Sequence, residues 1–343
     1  MQLNGLHHVT AVTAMAQANL GFYTQLMGMR LVKKTVNQDD VSAYHLFYGD
    51  ALGSPGTELT FFDWRHLPPN RNGPGSIAGT ALRVSGEDSL SWWSDRLTEN
   101  HVPHSGIERF RGRALIRLRD PEGQTLALVD DGGIASGSPW EGGPVPAEHA
   151  VRGLFASTLS VHDMEPTSHF LTEVLGFERV DAPAREAADN SSGAGVEVDA
   201  LAEEHAGAPS GASSRAQRTV TFELAGGGPG NELYVIEQPD VTPGALGAGG
   251  VHHIAFRVPD SEQQAAWRSR LLAAGVPATP VIDRFYFKSV YFRIPGGQLF
   301  EIATDGPGFA VDEDAGRLGE RLALPPFLEP RRAAIEANLE PLD

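Results

Sequence analysis

The 343-residue chain contains no cysteine. Disulfides and thiolate metal sites are therefore excluded, and any metal must be held by histidine and carboxylate. Positive charge is scarce as well: 27 Lys and Arg stand against 44 Asp and Glu, a formal net charge of −17. That balance argues against nucleic acid or an anionic membrane as the main partner. No apolar run approaches the roughly 18–20 residues that a membrane helix needs. The N-terminal segment also lacks the basic-then-apolar layout of a secretory signal, because His7 and His8 sit in its first apolar stretch. A cytoplasmic location is the expectation. What remains is an ordinary globular composition, 41% hydrophobic and 21% charged, in a chain long enough for two domains.

What the chain does have is a repeat. Each copy reads as strand, helix, tight turn, then further strands closing on an apolar segment. Module one runs from "LHHVTAV" through "ANLGFYTQLMGMRLV" to "TELTFFDW", and module two from "GTALRVS" through "SLSWWSDRLTENHV" to "QTLALVDD". Module three runs from "LFASTLSV" through "TSHFLTEVLGFERV" to "NELYVIEQ", and module four from "VHHIAFRV" through "QQAAWRSRLLAAGV" to "QLFEIATD". Odd and even modules match in detail: "FYTQLMGM" pairs with "FLTEVLGF", and the turn "RDPEGQTLALV" with "RIPGGQLFEIA". Short strands around one helix cannot bury an apolar face alone, so modules should pair into sheets. The expected fold is α+β, four βαβββ modules forming two half-barrel pairs.

The expected N-terminal half spans 1–135 and the C-terminal half 150–305, joined by the linker "SGSPWEGGPVPAEHA". Within the latter, 181–217 turns to Ala, Gly, Ser and acid and reads as a mobile insertion, either neutral or a lid, with a short strand at "GVEVDA". Residues 306–343 form a Pro-punctuated tail that should pack on the body and cover Phe309, Leu322, Leu324 and Phe327. The acidic runs "DEDAG" and "EVDALAEEH" read as solvated surface.

The repeats act as an internal control. Laid over one another, the closing strands "LTFFD", "LALVD", "LYVIE" and "LFEIA" carry Phe61, Leu128, Val235 and Glu301 at their third position. A lone carboxylate at an otherwise apolar position needs a cation. The opening strands place His8 and His253 in modules one and four, against small residues near Gly79–Thr80 and Ala156–Ser157 in the others. Adjacent strand residues point to opposite faces, so each His-His pair should offer one imidazole to each side of the sheet. Parity assigns His253, with Ala255 and Arg257, to a cavity face, and His252, with Ile254, Phe256 and Val258, to the face under a helix; His8 is preferred over His7 likewise. Two histidines and one carboxylate form the open facial set of non-heme Fe(II) sites, so His8, His253 and Glu301 are the expected ligands. Modules one and four must then pair in space. In "DRFYFKSVYFRIPGG", Arg284 could hold an anionic oxygen and Tyr291 act as acid or base, but seven residues separate them. They converge only if the chain turns or bulges near Tyr286–Lys288. An exposed Arg and a core Tyr is the other reading.

With "LHHVTAVT", "GVHHIAFRV", "DRFYFKSVYFRIPGGQLFEIATDGPGF" and the tail "LGERLALPP" in view, nearly the whole chain resembles the vicinal oxygen chelate superfamily of glyoxalase I, bleomycin-resistance proteins and extradiol dioxygenases. Within it, these segments are similar to ring-cleaving dioxygenases acting on hydroquinones. The resemblance implies Fe(II) at His8, His253 and Glu301, or Mn(II) or another divalent metal in its place. It also implies catalytic support from Tyr291, His7, His252 and Arg284, with O₂ and a small hydroxylated aromatic as reactants. Two rivals remain open: a glyoxalase-like lyase or isomerase, and a non-catalytic quinone- or drug-binding member. A homo-oligomer is compatible with the sequence.

Overall fold

The computed structural model describes residues 1–134, 137–180 and 218–342. The insertion read at 181–217, with its expected strand and the acidic run "EVDALAEEH", lies outside the described residues. The βαβββ unit is found four times. Module one holds β1 (Leu6–Thr13), α1 (Ala16–Gly21), β2 (Arg30–Val36), β3 (Tyr44–Gly49) and β4 (Glu58–Asp63). Module two holds β5 (Ile77–Val84), α2 (Gly86–Glu99), β6 (His104–Phe110), β7 (Arg113–Arg119) and β8 (Thr125–Asp130). In module three follow β9 (Leu154–Val161), α3 (Met164–His169), β10 (Glu178–Val180), β11 (Arg218–Glu223) and β12 (Glu232–Glu237). Module four supplies β13 (Val251–Val258), α4 (Ser261–Ala273), β14 (Ile282–Asp283), β15 (Lys288–Arg293) and β16 (Leu299–Thr304). Helices α1 and α3 both run on into a π-helical turn, Phe22–Leu26 and Phe170–Leu175. Asp163 and Asp260 cap α3 and α4 by accepting backbone N–H groups of Glu165 and Gln263. No helix among the described residues is long and apolar enough to cross a membrane.

One curved half-sheet runs β2-β3-β4-β1-β13-β16-β15-β14 and the other β10-β11-β12-β9-β5-β8-β7-β6. Each is centred on an antiparallel pair, β1 with β13 and β5 with β9. Between the halves, β5 meets β13 through a single residue pair, Ile77 and Val251. One face of each half packs under its helices: Trp93 of α2 and Trp267 of α4 are almost wholly buried among Leu, Ile, Val and Phe. The opposite faces carry separate, smaller apolar clusters, with Ala255, Phe47 and Phe287 in one half and Ala81, Ala127 and Phe155 in the other.

The tail packs on module one. Leu318, Leu324, Leu328, Ile335 and Leu339 are buried, and a short helix, α5 (Arg332–Glu336), lies near its end. Phe309 is covered but Phe327, expected to need cover, is 58% exposed: the turn at Leu328–Arg331 buries Leu328 in its place. The run "DEDAG" is not simply solvated surface. The fully buried ammonium of Lys33 donates to Asp312 (2.7 Å), to Glu313 and to the Phe309 carbonyl (3.0 Å), and Tyr286 donates to Asp312 (2.9 Å). A buried ammonium requires such partners, and the acids supply them.

Candidate metal centre

The strands that carry the His-His pairs are bulged. Between Leu6 and His8 the register slips by one residue against β13, and between Thr10 and Ala11 it slips by one in the other direction. The extra residues are His7 and His252. A bulge re-aims the side chain it inserts, which corrects the expectation of one imidazole per face. His7 Nδ1 lies 3.0 Å from His8 Nδ1, and His252 Nδ1 lies 2.8 Å from His253 Nδ1. Strand β5 and β9 slip at the matching places, with Ala78 and Phe155 as the extra residues.

Strand pairing also corrects the overlay of the closing strands. Glu301 sits beside Ala255, two residues past His253, so its true counterparts are Thr60, Ala127 and Tyr234, beside Thr10, Ala81 and Thr158. Phe61, Leu128 and Val235 belong one residue further on and lie in the helix-side core. The overlay was off by one because module one carries its own Leu-Thr where module four carries Phe-Glu. Glu301 remains the carboxylate that breaks the pattern.

Across β1, β13 and β16, His8 Nε2, His253 Nε2 and Glu301 Oε2 form a nearly equilateral triangle, with sides of 3.3, 3.3 and 3.0 Å. Three lone-pair-bearing atoms this close, with both Glu301 oxygens buried and lacking a hydrogen-bond partner, require a shared cation or proton. Burial opposes ionisation of Glu301, but the two imidazoles outweigh it and hold its carboxyl well below the usual range. Burial pushes His253 down, keeping it in the neutral form that ligates a metal.

The supporting groups differ on the two sides. His7 places Nε2 3.2 Å from the Thr304 carbonyl, which can only accept, so that nitrogen carries the proton. Burial opposes charging of His7, but Glu58 outweighs it and raises the His7 pKa. When His7 is neutral, its bare Nδ1 accepts from His8 Nδ1–H, which leaves the His8 Nε2 lone pair facing the triangle. Glu58, in register with His8, approaches His7 Nδ1 at 3.2 Å, and burial raises its pKa. His7, His8 and Glu58 thus form a second cluster sharing His8. On the other side His252 packs edge-on to Phe62 and Trp64, and burial lowers it to about 3.

The triangle opens into a cavity lined by aromatic rings of Phe47, Phe62, Phe287 and Tyr291. Tyr291 pairs with Glu301 across β15 and β16 and so shares its face. Arg284 escapes the strand parity because β14 ends at Asp283: Arg284 N–H donates to the Phe287 carbonyl and Phe285 adopts φ +71°, a tight turn that brings Arg284 5.6 Å over the Tyr291 ring. Arg284 also donates twice to Asp39, at 3.1 and 2.8 Å, and these bonds lower the Asp39 pKa. Burial pushes Tyr291 above the usual tyrosine value.

Among the lining residues that the sequence did not single out are His45 and Asp39. His45 is held 3.0 Å from Thr60 Oγ1, against Phe47 and Phe62, and burial pushes it well below the usual histidine value. Its signal was the alternation in "YHLFYG", where Tyr44, Leu46 and Tyr48 face the core and His45 and Phe47 the cavity. Asp39 carried no comparable signal.

The family model described as the glyoxalase/bleomycin resistance protein/dioxygenase superfamily matches residues 5–128 and 149–302. The chain is 43% identical over 343 residues, all of both proteins, to "Putative ring-cleaving dioxygenase MhqA" of Bacillus subtilis (strain 168). It is 30% identical over 336 residues to the chlorohydroquinone/hydroquinone 1,2-dioxygenase of Sphingobium indicum, covering 96% of this chain and 93% of that one. Among solved structures, a "putative dioxygenase from Bacillus subtilis subsp. subtilis str. 168" superposes with a TM-score of 0.82 at 35% identity, over 100% of this chain and 98% of the other. Glyoxalase I of Zea mays (TM-score 0.58, 13% identity, 88% and 92% covered) shares the fold alone. Paired βαβββ modules around a His/Glu cluster and these full-length matches lead to one conclusion: the chain belongs to the glyoxalase/bleomycin resistance protein/dioxygenase superfamily.

Proposed function

We propose that the protein is an Fe(II)-dependent, extradiol-type ring-cleaving dioxygenase that acts with O₂ on hydroquinones or related hydroxylated aromatics. The observation that carries this reading is the triangle of His8, His253 and Glu301. Its 3.0–3.3 Å sides match one face of an octahedron, where ligands at about 2.1 Å from a metal stand about 3 Å apart. The donor set, two imidazoles and one carboxylate without thiolate, suits iron with open positions. When bound, Fe(II) supplies Lewis acidity toward a phenolic hydroxyl and the electron-transfer chemistry that O₂ requires.

The chain's own side chains bind, orient and protonate. Phe47, Phe62 and Phe287 exclude water and hold the ring against the triangle. His7 and Glu58 position His8, and His252 positions His253, by fixing which ring nitrogen carries hydrogen. Tyr291 keeps its proton and is placed beside Glu301 to donate it to substrate oxygen. His45 stays neutral as a further hydrogen-bonding group at the wall. A glyoxalase-like reaction normally adds a second carboxylate opposite Glu301, and that position holds Thr60.

The test is anaerobic reconstitution with Fe(II), then O₂ consumption with hydroquinone and catechol side by side and Glu301→Ala as control. Uptake that needs iron, the phenol and Glu301 is expected. No uptake from protein holding one iron per chain would overturn the proposal.

A further inference from the structure

We propose that Asp39 sets the charge of the accepted substrate: by occupying Arg284, it restricts the site to rings that carry no carboxylate. The inference deepens the ring-cleavage reading and rests on it. Arg284 is the only Lys or Arg among the described residues lining the cavity, and Asp39 is the only Asp or Glu among them. Each of its terminal nitrogens gives an N–H to one carboxylate, so its charge is paired. Nη1 reaches Asp39 Oδ1 at 3.1 Å and Nη2 reaches Asp39 Oδ2 at 2.8 Å, a fork-to-fork arrangement that also fixes the plane of the guanidinium.

The pair is built into its loops. Gln38 Nε2 donates to the Arg284 carbonyl at 2.8 Å, and the Asp39 N–H donates to Asn37 Oδ1 at 2.9 Å, so the 37–39 turn is stitched to the 284–287 turn. Asp39 is 73% exposed while Arg284 is 17% exposed, so the carboxylate caps the guanidinium from the solvent side. An ion pair with one partner this exposed adds little stability. Its consequence lies in the cavity, where a ring bearing a carboxylate would be desolvated with no unpaired cationic side chain to meet it. An uncharged hydroquinone meets no such cost. Asp39 is absent from the triangle of His8, His253 and Glu301 and acts through Arg284 as a specificity-determining residue.

The test compares hydroquinone with 2,5-dihydroxybenzoate in the parent protein, Asp39→Asn, Asp39→Glu and the double variant Asp39→Asn/Arg284→Gln. With Fe(II)-loaded protein, the ratio of kcat/KM for the dihydroxybenzoate to that for hydroquinone should rise about ten- to a hundredfold in Asp39→Asn, the scale of one charge-assisted hydrogen-bonded contact. It should stay near the parent value in Asp39→Glu and fall back in the double variant. Calorimetric titration of the metal-free protein should show the same rise in relative affinity for 2,5-dihydroxybenzoate. A ratio unmoved by Asp39→Asn, or a gain that survives Arg284→Gln, overturns the proposal. Failure of the parent to turn over hydroquinone defeats the ring-cleavage reading instead, and the metal-free titration then decides the selectivity by itself.

Discussion

His8 and His253 depend on their neighbours as much as on their own rings. Each has a second imidazole within 3.0 Å of its Nδ1, and those second rings stand there because a bulge turns them inward. The triangle holds the histidine of each pair that parity assigns to the cavity face, but parity misplaces its partner, since alternation along a strand says nothing of an inserted residue. Tyr291 presents the opposite case: its place beside Glu301 follows from plain cross-strand register. As a proton donor it should be separable from metal binding. Tyr291→Phe is expected to keep one iron per chain by elemental analysis while kcat falls about 10²- to 10⁴-fold, the usual worth of a positioned acid or base. Unchanged turnover would remove Tyr291 from the chemistry.

At the scale of elements, turns decide what strands cannot. Arg284 and Tyr291 lie an odd number of residues apart and converge only because the hairpin turns at 284–287, with Phe285 at positive φ. In module two the turn between β7 and β8 is built on Asp120, which accepts N–H groups of Glu122 and Gln124 at 2.9 Å and the Tyr23 hydroxyl at 3.2 Å. Burial outweighs these bonds and lifts the Asp120 pKa from 3.8 to about 6. The folded chain therefore keeps a proton that the unfolded chain has already released, and the stability this confers is lost as pH rises from about 4 to about 6. The loss amounts to roughly 3 kcal/mol at most for a shift of about two units. Asp120→Asn should flatten that slope: the difference in Tm between variant and parent should grow as pH climbs from 4 to 6.5. A constant difference would contradict the buried, protonated carboxyl.

Over the whole molecule, the triangle joins the first module to the last. His8 lies on β1, while His253 and Glu301 lie on β13 and β16. A metal bound there would tie the first module to the fourth and, needing both in place, would bind only the folded form. At a free-metal concentration about a hundred times the dissociation constant, that linkage adds about 2.7 kcal/mol, or about 4 °C in Tm for a chain of this length. Calorimetry with and without Zn(II) should show the rise in the parent and its loss in Glu301→Ala. An equal rise in both would place the metal elsewhere. The tail contributes at the same scale: buried Lys33 on β2 is neutralised by Asp312 and Glu313 across nearly the whole length of the sequence.

How much was legible without coordinates follows from the range of the forces involved. Strand and helix periodicity, and the repetition of that pattern, are local, so the α+β class and the βαβββ units could be read from the residues directly. Repetition also exposed His8, His253 and Glu301, because imidazoles and a carboxylate absent from the matching strand positions of modules two and three stand out without any contact map. The bulges that turn His7 and His252 inward, the one-residue correction that makes Thr60 the counterpart of Glu301, and the Asp39–Arg284 pair were decided only in the tertiary structure. Each depends on register or contact between segments far apart in sequence, and those are set by packing of the whole sheet rather than by any local preference.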